Sequence, residues 1–168
     1  VRANSQTVAA FGLIAVLIAP PIMGATPDMT TLLFIAVVLV GTTGVALWRS
    51  WSWLPPVAFI LAAPQAASWI SGGPETVFGL VGIALFWLLN IVAAGGEAFR
   101  RRRDDLSASS ATLLLANVAF LIWAGFALLD GDLATYRGFF LVLVALAHLG
   151  VGGYFVVRDG ERNLFGLL

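Results

Sequence analysis

Three polar side chains stand deep inside otherwise apolar runs of this chain: Asn90, Asn117 and His148. An imidazole can pass a proton near neutral pH, and carboxamides can orient a water or a substrate beside it. An ionisable group held within a membrane is a functional candidate by default. The competing reading is mechanical. Such groups also hydrogen-bond across helices and simply join them, at about 0.6 to 2 kcal/mol per bond. At 1.5 Å rise per residue, His148 lies roughly 13 Å from Val157, Asn117 roughly 13 Å from Ala108 and Asn90 roughly 10 Å from Glu97, so all three belong to one layer. His148 also shares a helix face with Ala145 and Gly152, a spacing that points it toward another helix. The three form a candidate intramembrane polar cluster. Pro64 with Gln65 is a second candidate: proline removes an amide donor and kinks a helix, and a broken helix can line a cavity. Gln65 and Ser68 stand ready to satisfy the groups that Pro64 frees.

Nothing else in the chain has the makings of a catalytic set. Membrane hydrolases and glycosyl transferases present paired carboxylates, or a nucleophile with its base, at a surface site. The one histidine here is placed in a span, and cysteine is absent. Asp130-Gly131-Asp132 has a calcium-loop look, but an EF-hand spreads its ligands through twelve residues and closes on a bidentate acid. We read it as a turn. The expectation is a chain that is not an enzyme and needs neither metal nor cofactor.

The elements that must position these residues are six apolar runs, near Thr7–Met23, Thr30–Trp48, Trp51–Ile70, Thr76–Gly96, Ala108–Leu129 and Tyr136–Val157. Hydrophobic residues make up 60% of the 168 and charged residues only 11%, well outside the range of a soluble domain. Runs of this length match a hydrocarbon slab of roughly 30 Å. Their continuity, without alternation of polar and apolar residues, favours helices over barrel strands. The fold class expected is an all-α polytopic transmembrane bundle of six spans. Leu164 to Leu168 read as the start of a truncated seventh, so we expect a piece of a longer protein. The first run, with Arg2 ahead and Gly24-Ala25 behind, has a cleavable signal peptide as its alternative reading.

Orientation follows from arginine. Arg2, Arg49, the cluster Arg100, Arg101, Arg102 and Arg103, and Arg158 with Arg162 fall on one side of the ladder, and Arg137 alone falls on the other. The basic side is normally the cytoplasm, which places both ends there. The four-arginine run attracts anionic lipid headgroups, but Asp104 and Asp105 dilute it, so it reads first as an orientation signal. Trp48, Trp51, Trp53 and Trp69 read as interfacial anchors. Small-residue stripes at Gly12, Ala15 and Ala19, at Ala58, Ala62 and Ala66, and at Gly79 and Gly82 promise close helix packing, and so does Gly41-Thr42-Thr43-Gly44.

Longer stretches carry a resemblance. Gly12-Leu13 through Ala19-Pro20-Pro21, then Leu47-Trp48-Arg49-Ser50-Trp51-Ser52-Trp53-Leu54 and Ala58-Phe59, then the Asn117 helix, Tyr136-Arg137-Gly138 and Ala147-His148-Leu149, together resemble domain-of-unknown-function family twenty-three thirty-nine. Members of that family are multi-pass bacterial membrane proteins with many more spans. The resemblance implies an internal portion of a large protein of the bacterial cytoplasmic membrane, and it brings no catalytic residues. Expected partners are the lipid bilayer and further helices of the same full-length protein, with no role for nucleic acid. The leading expectation for function is a non-catalytic scaffold or assembly portion of a larger envelope protein. The alternative is a portion of a transporter or channel built on the Asn90, Asn117 and His148 layer.

Overall fold

A computed structural model describes residues 2–24, 28–49, 51–101 and 108–159. Among them the chain forms α1 (Arg2–Ile22), α2 (Met29–Arg49), α3 (Leu54–Ser71), α4 (Thr76–Arg101), α5 (Ala108–Leu128), a 3-10 turn (Gly131–Tyr136) and α6 (Arg137–Asp159). No strand occurs among the described residues. The all-α expectation holds. Five helices are long and apolar enough to cross a membrane, while the apolar part of α1, Gln6–Ile22, is shorter. Arg100 and Arg101 end α4. Arg102, Arg103, Arg162 and the Leu164–Leu168 stretch lie outside the described residues.

Helix ends follow local chemistry. The third helix begins at Leu54, not Trp51, because Pro55 and Pro56 occupy its first turn, where absent amide donors cost nothing. Asp28 accepts a 2.9 Å hydrogen bond from the Thr31 amide and so caps α2. That bond holds the Asp28 carboxyl below its ordinary range. The Asp130-Gly131-Asp132 segment is indeed a turn, with Gly131 at φ 60°, in the left-handed region that suits glycine.

Helix directions can be read from close contacts. Leu128, at the end of α5, fills the space above Gly79 near the start of α4, and Leu47, near the end of α2, fills that above Gly96. Thus α4 runs antiparallel to α5 and parallel to α2. Phe59 of α3, Phe86 of α4 and Phe120 of α5 meet at the centre, with ring centroids 5.1 to 6.2 Å apart, within the range in which aromatic pairs attract. Ala58, Ala62 and Ala66 are all buried, so that stripe performs as expected. The α1 stripe does not: Gly12 and Ala15 are exposed, and α1 packs through Leu13 and Leu17. Gly41 and Gly44 also face outward, while Thr42 and Thr43 are buried. The Thr42 hydroxyl donates to its own helix at Val38, 2.7 Å away. Trp69 departs from its interfacial reading, for it is only 8% exposed and lies against Gly82, where a Cβ would come within 3.2 Å of the ring.

The lone arginine of the opposite side has a local cause. Arg137 donates through Nε to the Leu129 carbonyl at 2.8 Å and through Nη2 to the Phe126 carbonyl at 2.9 Å, and its guanidinium lies 5.3 Å from the Phe126 ring centroid. It thereby satisfies the carbonyls that the end of α5 leaves free. Nη2 also reaches Asp130 at 2.9 Å, but Asp130 is 79% exposed, and exposed ion pairs contribute little. Removing the fork should therefore matter more than removing the carboxylate: Arg137→Ala is expected to cost about 1 to 2 kcal/mol and Asp130→Ala below about 0.5. Unfolding in mixed micelles measures both. Because the folded-state Asp28 pKa is depressed, its cap contributes fully above the ordinary carboxylate range and is lost as pH falls through the lowered value. Acid sensitivity of the α2 end should diminish in Asp28→Asn, which keeps the acceptor without the titration, as read by exchange of the Thr31 amide.

Candidate functional site

The expected layer exists in part, and an unexpected residue organises it. Trp87, at the middle of α4, donates its indole N–H to Nε2 of His148 on α6 across 3.2 Å. The rings meet edge to face with centroids 5.4 Å apart. The backbone carbonyl of the same Trp87 accepts a 3.0 Å bond from Nδ2 of Asn117 on α5. Three helices thus converge on one residue. Asn117 is fully buried, and its Oδ1 has no partner. Asn90 is buried too, but its amide turns along its own helix and donates to Phe86 at 2.8 Å. No direct hydrogen bond among the described residues joins any two of Asn90, Asn117 and His148.

Geometry sets the state of the imidazole. An indole nitrogen only donates, so Nε2 must present its lone pair, and Nδ1 carries the hydrogen toward the Val144 carbonyl at 2.8 Å. Both ring nitrogens are engaged within the bundle. The face that α6 turns inward is Val144, His148 and Gly152, whereas Ala145, expected on that face, is exposed. Trp87 was legible in principle: an indole N–H at mid-span needs an acceptor, and the chain has one histidine to offer. Expecting tryptophans at interfaces hid it.

The second candidate, Pro64 with Gln65, forms a joint between two helices. The third helix runs continuously through Pro64. Gln65 does satisfy carbonyls, but the important one belongs to another helix. Its Nε2 donates to Leu17 at 2.6 Å and to Leu61 at 3.0 Å. In α1 the donor for the Leu17 carbonyl should be the amide four residues on, and that residue is Pro21. Gln65 supplies the hydrogen that Pro21 lacks. Beside this joint lies a cavity of about 240 Å³, lined in part by Pro20, Pro21, Pro64, Gln65 and Ser68. Gln65 Oε1 is buried without a partner.

The indole-imidazole bond should show as coupling. Trp87→Phe and His148→Phe each lose it, and a double-mutant cycle on unfolding in mixed micelles is expected to return about 0.6 to 1.7 kcal/mol. Gln65→Leu strands the Leu17 carbonyl and should cost about 1 to 3 kcal/mol. A double variant with Pro21→Ala, which gives α1 its own amide donor for the Leu17 carbonyl, should recover most of it.

Comparison with known proteins returns no matching family model, no similar curated protein and no similar solved structure. The geometry alone must carry the functional reading.

Proposed function

We propose that this chain is a non-catalytic scaffold embedded in the bacterial cytoplasmic membrane, with six spans, α1 included, and both ends cytoplasmic. The observation that carries the reading is the use made of its polar side chains. Trp87, Asn117, His148 and Gln65 each spend their donors on a neighbouring helix or on their own backbone. Interhelical bonds of this kind hold bundles together where burial from water cannot. Large apolar side chains face outward on every side, among them Val37, Val81, Leu115 and Leu149. In water such a surface would drive association, whereas lipid tails match it. In this reading further helices of the same full-length protein pack on this surface.

A second reading, part of a transporter or channel, draws on the Asn90, Asn117 and His148 layer and on the cavity beside Pro64 and Gln65. Substituting His148 by Gln separates the two. Glutamine can accept from the Trp87 indole but cannot relay a proton, so a scaffold keeps both its folded bundle and the cellular function of the full-length protein. A folded His148→Gln bundle that has lost function would overturn the scaffold reading. Topology is checked independently, because the chain lacks cysteine. A cysteine at Asp132 should react with an impermeant thiol reagent in intact cells, and one at Arg101 only after permeabilisation.

A further inference from the structure

A slot of about 190 Å³ runs between α2 and α4, from Met29 and Phe78 at one end to Leu39 and Leu89 at the other. No side chain lining it carries a charge, a hydroxyl or an amide. Met29 and Leu39 are ten residues apart on α2, a rise of roughly 15 Å. That is half of a hydrocarbon slab of about 30 Å. The slot therefore has the depth of one leaflet, and it starts at the level where Asp28 caps α2. Its mouth is open to the side, since Leu33, Phe78, Val81 and Leu85 along it are exposed. Trp69 lines its inner side, packed against Gly82.

We propose that this slot is a binding site for a single acyl chain of a lipid, taken from the leaflet that surrounds the Met29 end of α2. The inference rests on the membrane reading above. Volume and lining select the occupant. A helix about 10 Å across cannot enter between α2 and α4 without prising them apart, so a further span or a second copy would cover the mouth and leave the slot behind it unfilled. Water finds none of the polar partners that a buried water needs. An empty slot would forfeit dispersion contacts along its whole wall. An extended hydrocarbon chain is thin enough to enter, long enough to reach Leu39 and chemically matched to every residue it meets.

Bromine on a lipid chain quenches tryptophan on contact, and two tryptophans make the test internal. Trp69 is withdrawn from the outer surface at 8% exposure, while Trp123 on α5 is 45% exposed. The full chain is reconstituted into phosphatidylcholine vesicles with and without brominated acyl chains, and the signal of each tryptophan is taken as the difference from Trp69→Phe or Trp123→Phe. Trp69 is expected to lose its emission as deeply as Trp123. Ala36→Phe, which plugs the slot, should restore the Trp69 emission and leave Trp123 quenched. Quenching of Trp123 with Trp69 spared in the unplugged chain overturns the acyl-chain site and leaves the membrane reading standing. Quenching of neither removes the membrane reading itself. Because the decisive comparison is made before any plug is introduced, a failure of Ala36→Phe to fold does not blunt it.

Discussion

Inside a bundle that excludes water, each buried backbone and side-chain polar group has to find its partner within the protein, and the described polar contacts follow from that constraint. Pro21 frees a carbonyl and Gln65 answers it from another helix. The end of α5 frees carbonyls and Arg137 reaches back to them from the start of α6. An indole placed at mid-span meets an imidazole, and Thr42 returns its hydroxyl hydrogen to its own helix. Two buried acceptors, Asn117 Oδ1 and Gln65 Oε1, stay without partners. The demand on acceptors is softer than on donors, and the nitrogen of each of these two amides does donate.

The sixth helix shows how few contacts suffice. Apart from Val144 and Gly152, its described side chains are half-buried or exposed. It is tied by the Arg137 fork at one end, by Phe140 seated over Gly125, and by His148 at its middle. Polar bonds here act at chosen points, and shape complementarity at glycine completes the attachment. The same division of labour recurs in α4, where Gly79, Gly82 and Gly96 admit Leu128, Trp69 and Leu47.

Much was legible in the residues. Run length and continuity forecast all six helices with ends within five positions of those observed, since a long continuous apolar run leaves a chain few alternatives. Alanines 58, 62 and 66 announced close packing and are buried. His148, expected to point toward another helix, meets Trp87 of α4. Misreadings arose where composition was asked to stand for direction. The Gly12 and Ala15 face of α1 has the right residues but turns outward, and Trp69 sits near a helix end but points into the core.

The sequence by itself therefore determined the helices, their approximate ends and the identity of the polar groups needing partners, because these depend on neighbours along the chain and on the solvent that surrounds it. Only the tertiary structure decided which partner each group takes: that Gln65 serves α1, that Trp87 gathers Asn117 and His148 while Asn90 stays on its own helix, and that α2 and α4 leave a slot between them. Helix rotation and height govern those choices. A turn of about 100° per residue carries a side chain from one neighbour to the next, and packing across the whole bundle sets that turn.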